Sequence, residues 1–207
     1  MAVDWTLTST AYGYSRSGDI VSAIEVFSCL MNDAESNADR AAILLGKATC
    51  YSHVRDVTKA LEFIEAAKRL AAGHREIMLQ IGMSDASLHV LTKEYELACE
   101  KFGAVKKEYS DLLAEDSESA VELDSRFAGA LADAGRYGEA IPVLRRLLDR
   151  PELPDRQWLQ IYLGTALAST GNSKEAQQMY LSAASGPDSN LAQTALEYAS
   201  ATGTVKQ

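Results

Sequence analysis

The sequence predicts an all-α chain: a right-handed α-α superhelix, or solenoid, of antiparallel helix hairpins with about eleven helices. Composition is the first observation. Ala recurs throughout, Pro occurs only 4 times and aromatics make up 7% of 207 residues, so helix formers meet few breakers. The second observation is a spacing. Ala11, Ala48, Ala86, Ala128 and Gly164 are each followed 12 residues later by an alanine, at Ala23, Ala60, Ala98, Ala140 and Ala176. The third is a large apolar side chain four residues after each of those alanines: Phe27, Ile64, Phe102, Leu144 and Tyr180. Antiparallel helices close to about 8–10 Å only where small side chains face each other, and a large residue one turn on fills the space beside the crossing. From pair to pair the step drifts through 37, 38, 42 and 36 residues. The hairpin is therefore the fixed unit, while connections on the surface tolerate insertion.

The elements follow in order within one array over 1–207. The first hairpin spans about 4–31. A helix from Trp5 to Arg16 places Leu7, Ala11 and Tyr14 at three-and-four spacing, and Ser17-Gly18-Asp19 ends it. Gly18 supplies a left-handed turn and Asp19 caps a second helix that turns Ala23, Phe27 and Leu30 inward. The second hairpin, about 38–72, carries Leu44, Ala48 and Tyr51, then Val57, Ala60, Ile64 and Ala67 after Asp56, with Gly73 as its stop. The third, about 75–115, has a long second helix in which Tyr95, Ala98, Phe102, Val105, Tyr109 and Leu112 share one face, so that it protrudes beyond its neighbours. Ser117 caps the fourth hairpin, about 117–149, in which Pro142 stands early enough in the second helix to be tolerated. Arg150 to Asp155, with Pro151 and Pro154, reads as a rigid connector to the fifth hairpin, about 154–184. A capping helix over about 189–201 closes the array, and the last residues fray.

Charge and cysteine usage narrow the function. A net charge of −9 repels a phosphate backbone, and no polybasic run offsets it, since Asp149 interrupts Arg145, Arg146 and Arg150. Nucleic acid is therefore excluded as a partner. Cys29, Cys50 and Cys99 fall inside helical patterns with no C-x-x-C, and read as buried small hydrophobes in a reducing compartment. No basic-then-apolar leader opens the sequence and no segment approaches the ~20 apolar residues of a membrane span. A cytoplasmic protein without membrane insertion is expected, and a domain cut from a longer chain reads equally well.

The pattern resembles the tetratricopeptide-repeat family, whose units run ~34 residues with a small residue on the first helix, a turn glycine, and Ala then an aromatic on the second. Gly18, Gly135 and Gly171 match the turn glycine; Arg55 and Lys93 depart from it. The position often held by Trp is Leu7, Leu44, Gly82, Asp124 and Gln160. The resemblance covers about 4–184, and the steps here exceed the family's period, as in sensor domains of some bacterial regulators. It implies that first helices line a concave groove. Carried over by phase, that groove presents Trp5, Thr8, Tyr12, Leu45, Thr49, His53, Met83, Ser87, Trp158 and Ile161, with Glu122, Ser125 and Gly129 on the fourth repeat. The Lys, Asn and Arg with which one branch of the family holds a C-terminal carboxylate are missing, since those places hold Thr8, Tyr12, Thr49, Met83 and Ser87.

A non-catalytic scaffold that binds a peptide or helix of a protein partner in an apolar groove with hydroxyl edges is the resulting expectation. Two alternatives stand beside it: a homo-oligomeric structural module, in the simplest case a homodimer, and a sensor of a small ligand or peptide. The groove residues also read as side chains packed on neighbouring helices. No enzyme, cofactor or metal is expected. Ser52 and His53 are adjacent on a helix and point apart, His89 reads as a packed core group, and no catalytic or phosphate-binding motif occurs. The acids Glu115, Asp116, Glu118, Glu122 and Asp124 read as a solvated loop and helix start, and match no calcium loop.

Overall fold

The computed structural model describes residues 4–114, 117–150, 152–153 and 155–203. Every regular element among them is a helix, and they fall into two compact units, Met1–Leu112 and Leu113–Gln207.

The first unit holds α1 (Leu7–Arg16), α2 (Ile20–Asp33), α3 (Asn37–His53), α4 (Val57–Leu70), α5 (Arg75–Leu91) and α6 (Tyr95–Glu108), paired as three hairpins. Side chains at helix starts set the entry points. Asp19 accepts from the Ser22 amide at 3.1 Å, Asp56 from the Lys59 amide at 3.1 Å, and Ser36 forms a reciprocal capping box with Asp39. Each hairpin reverses through one left-handed residue: Gly18 (φ 86°), Arg55 (φ 58°) and Lys93 (φ 64°). The alanine pairing is as the spacing requires. Ala48 and Ala60 are fully packed in one core cluster with Ile64, Ala67 and Ile81, and Phe27 anchors a second cluster with Ala11 and Ala23. Asp85 ties the layers together, accepting from Lys101 at 2.7 Å with Lys68 at 3.8 Å.

Three expectations need correction in this unit. Helix α6 ends at Glu108 and does not run on to Glu115 (itself, with Asp116, outside the described residues). The apolar face continues, but Tyr109 leaves the helix and stays buried, with Arg75 over its ring at 5.5 Å. Arg75 also donates to the Glu108 carbonyl and, at 2.7 Å, to Asp111, so a side chain from α5 satisfies the helix end and the next turn. Leu7 and Tyr14 stay about 40% exposed, and α1 is held by Ala11 and Ser15. Cys29 is exposed, whereas Cys50 and Cys99 are buried.

The second unit holds α7 (Glu118–Asp133), α8 (Tyr137–Leu148), α9 (Arg156–Ser169), α10 (Ser173–Ala184) and α11 (Ser189–Gly203). Ser117 caps α7 by accepting from the Ala120 amide at 3.2 Å, and Gly135 and Gly171 make the left-handed turns. Leu123, Leu131, Leu144, Leu159 and Leu167 fill the core. Two ion pairs cross the helix seams, Arg145 to Glu175 at 2.7 Å and Arg146 to Asp124. Pro142 lies beyond the first turn of α8, on an exposed face, where it has no N–H to donate to the Gly138 carbonyl. The α10–α11 connection is clasped by Gln157, whose buried amide donates to the Asp188 carbonyl at 2.9 Å and accepts its N–H at 3.0 Å. Pro151 and Pro154 of the expected connector lie outside the described residues.

Candidate functional site

In each unit the first helices of successive hairpins touch, α1 with α3 and α3 with α5, then α7 with α9, and α9 also touches the last helix, α11. Apart from Trp5, the residues expected to line a groove lie on these helices, and their surroundings differ.

In the first unit, Trp5 precedes α1 and is 42% exposed, Thr8 donates to the Trp5 carbonyl at 2.6 Å, and Tyr12 meets Phe27 edge-on at 5.5 Å. Leu45 packs on the α3–α4 core, and Met83, at 0% exposure, is itself core and offers nothing to a partner. Thr49 donates to the Leu45 carbonyl at 3.1 Å and Ser87 to the Met83 carbonyl at 2.9 Å. These hydroxyls give their proton to the preceding helical turn and keep only acceptor capacity toward the outside.

His53 has a partner that adjacency in sequence hides. Its Nδ1 lies 2.7 Å from Ser15 Oγ, across the α1–α3 seam. Burial, then the nearby Arg16 charge, lower its pKa from 6.5 and favour the neutral ring, whose tautomer sets which of the two groups donates in this bond. The contact has the form of a nucleophile and its base, yet Ser15 is 2% exposed, so its oxygen meets no substrate and the bond is a core hydrogen bond. His89 is not a packed apolar group: its Nδ1 sits 2.9 Å from Glu94 across the turn at Lys93, with part of the ring exposed. Among the described residues no cluster of His, Cys, Asp or Glu could hold a metal ion.

In the second unit, Ile161 is largely buried, while Trp158 forms the wall of a cleft of about 830 Å³ between α7, the α8–α9 connection, α9 and the start of α11. The indole is locked from two sides. Its edge presses on the bare Cα of Gly129, where a Cβ would come within 2.6 Å, and its face tilts against Tyr162 at 4.1 Å between centroids. The Tyr162 hydroxyl in turn donates to Asp133 at 3.1 Å. Val121 and Leu191 extend the apolar surface. Around it stand four carboxylates, Glu118, Glu122, Glu152 and Asp155, and two guanidinium groups, Arg126 and Arg150. Glu122 and Arg126 pair at 2.6 Å one turn apart on α7. Ser125, between them, donates to the Val121 carbonyl at 2.8 Å and presents lone pairs to the cleft.

Phase along the repeat located Trp158, Glu122 and Ser125. It missed Glu118, Val121 and Arg126, which lie on α7 beside the counted positions, and Arg150, Glu152, Asp155 and Leu191, because a connector and a capping helix carry no groove positions by repeat counting. The local signals are the acid cluster around Glu118 and the two acids that each follow a proline, Glu152 and Asp155.

No protein-family model matches the sequence, and no curated protein matches it closely enough to be called a relative. Solved structures do match in fold. The nearly identical TPR-like repeats of a kinesin light chain from Podosopora anserina superpose with a TM-score of 0.62 at 20% identity, covering 96% of this chain and 93% of that one. BtubC (BKLC) from P. vanneervenii gives 0.66 at 16% identity, over 95% and 80%. YrrB, a TPR protein described as having an unusual peptide-binding site, gives 0.54 at 20% identity, over 90% and 88%. With hairpins of fixed 12-residue alanine spacing, left-handed turns between their helices and these neighbours across almost its whole length, the chain has the all-α tetratricopeptide-repeat fold.

Proposed function

We propose that this protein is a non-catalytic interaction module that receives a segment of a partner protein, and that the cleft around Trp158 is where the segment seats. The observation that supports the reading is the immobilised indole. A Trp held by Gly129 and Tyr162 yet open to an 830 Å³ cleft is a rigid apolar anchor, the kind of group that dominates binding energy at protein interfaces. The fold supports it as well, since YrrB carries a peptide-binding site on the same architecture. Photo-crosslinking tests it. A benzoylphenylalanine at Ser125 is expected to form covalent adducts with a protein in the native cell, and the same group at exposed Val21 is not. Loss of the Ser125 adduct in a Trp158→Ala chain that melts normally supports the cleft. Adducts indifferent to Trp158 overturn it.

Self-association is a second reading, favoured by the exposure of Leu181, Leu196 and Tyr198 on α10 and α11, each 44–50%. Sedimentation velocity decides it: a concentration-dependent dimer that Leu196→Lys abolishes supports a homodimer, and a monomer throughout removes it.

A further inference from the structure

We infer that the cleft in the second unit takes a cationic, apolar-anchored segment: a stretch of partner chain that sets one or two large apolar side chains against Trp158 while Lys or Arg side chains beside them meet Glu118, Glu152 and Asp155. The inference rests on the reading that this cleft binds protein, and adds the charge and the anchor.

Three observations carry it. The lining is net acidic, four carboxylates against two guanidinium groups, and Glu122 with Arg126 already form a pair at 2.6 Å, so Glu118, Glu152 and Asp155 face the cleft against Arg150. Asp155 is placed unusually. It is the residue before α9, at φ 57° in the left-handed region, and its side chain makes no capping bond to the helix it begins. Asp at such a site normally caps; here its carboxylate lines the cleft instead. The third is the donor balance. The Ser125 hydroxyl has given its proton to the Val121 carbonyl, so what it offers is an acceptor, as the carboxylates do. Acceptors around an apolar wall suit a partner rich in N–H donors, and they disfavour the carboxylate terminus that other members of this fold class hold with basic residues.

The test uses the full chain with Trp5→Phe, which leaves Trp158 as the sole indole of two. Three capped synthetic peptides of equal length serve as probes: alternating Lys and Leu, Glu and Leu, and Lys and Ser. Binding is read from Trp158 emission and from peptide anisotropy. The Lys/Leu peptide is expected to move the Trp158 emission and to bind at least about tenfold more tightly than either other peptide, with affinity falling as salt rises. Glu118→Gln/Glu152→Gln/Asp155→Asn is expected to weaken it about tenfold; all three side chains are exposed, and Asn tolerates the left-handed backbone. Glu25→Gln/Glu62→Gln/Glu100→Gln changes the net charge equally at residues that do not line the cleft and is expected to shift affinity less than about twofold. A further variant, Glu118→Lys/Glu152→Lys/Asp155→Lys, is expected to prefer the Glu/Leu peptide. Equal binding of Lys/Leu and Glu/Leu peptides overturns the inference, as does equal weakening by both neutralised triples, or a Trp158 emission that no peptide moves. Such a failure leaves the Ser125 crosslinking result standing, so a wrong partner chemistry and a wrong site are told apart.

Discussion

At the scale of single residues, backbone conformation explains what composition does not. Arg55 and Lys93 break the glycine pattern of the hairpin turn, yet both take the left-handed conformation that Gly18, Gly135 and Gly171 take at the same repeat position. The turn is imposed by the helices on either side, and the side chain bears the cost, about 1 kcal/mol or more for a residue with a Cβ. Replacing either by glycine relieves that strain and concedes part of it to the greater freedom of glycine in the unfolded chain. Arg55→Gly and Lys93→Gly are each expected to stabilise by roughly 0.5–1 kcal/mol in denaturant melts, and Gly135→Ala to destabilise by a comparable amount. His53 gives a second residue-scale prediction. Its pKa in the folded chain lies below the ordinary 6.5 because of burial and then Arg16. On lowering the pH through 6.5, the unfolded chain takes up the proton first, so the stability that His53 contributes is complete above that pH and is lost as pH falls toward the folded pKa. Full protonation makes both ring nitrogens donors, so the Ser15 hydroxyl accepts from Nδ1 and can give its own proton only to the Cys50 carbonyl, 3.5 Å away. A histidine titration by NMR is expected to place His53 below the free value, and Arg16→Gln to raise it. A His53 pKa at or above the free value would remove the argument.

At the scale of elements, most of the chain was legible because a hairpin's requirements are local. Small residues must face each other, the turn needs a left-handed residue, and the next helix needs a cap, so alanine spacing and Asp19, Asp56 and Ser117 place the helices directly. Where the sequence misled, a contact from elsewhere decided. Helix α6 stops at Glu108, where Arg75 from α5 meets its last carbonyl, and no periodicity within α6 records that contact. A second set of small residues, Gly46, Gly82 and Gly129, carries no packing signal in the sequence for the same reason: each sits under a side chain from another helix, Phe27, Val105 and Trp158 respectively. Gly164 was legible as a pairing position, and its burden is specific. A Cβ there would come within 2.7 Å of the Tyr180 ring, which is buried and hydrogen-bonded to Thr165 at 3.2 Å and cannot move freely. Overpacking of that kind costs about 1–3 kcal/mol, more than the ~1 kcal/mol of helix propensity that alanine gains. Gly103 in α6 has open space where its Cβ would be. Gly164→Ala is therefore expected to destabilise by about 1–2 kcal/mol and Gly103→Ala to stabilise by about 0.5–1 kcal/mol, in the same urea titration. Equal responses would mean that propensity alone governs both sites.

At the scale of the whole molecule, the candidate site was only partly visible in the sequence, because the cleft is built from stretches whose local reading is bland. An acidic helix start supplies Glu118, a connector supplies Glu152 and Asp155, and a capping helix supplies Leu191; only tertiary structure sets them around Trp158. All of these belong to Leu113–Gln207, which is one of two compact units. Its hydrophobic core, Leu123, Leu131, Leu144, Leu159 and Leu167, is drawn from its own helices, and the clusters around Phe27 and Ile64 are drawn from those of Met1–Leu112. Helices in an array are stabilised chiefly by their immediate neighbours, so a piece that keeps complete hairpins keeps most of its stabilising contacts. Separating the chain between Leu112 and Leu113 is accordingly expected to give two helical fragments, each unfolding cooperatively with a calorimetric enthalpy of about 60–80 kcal/mol, as for any domain near 100 residues. The C-terminal fragment should also retain Lys/Leu peptide binding within about threefold, since the whole cleft travels with it and affinity changes below tenfold correspond to less than ~1.4 kcal/mol. A C-terminal fragment that is helical but binds no peptide would place an essential part of the site in the first unit, whereas one that is unfolded would show that its leucine core needs the first three hairpins to form.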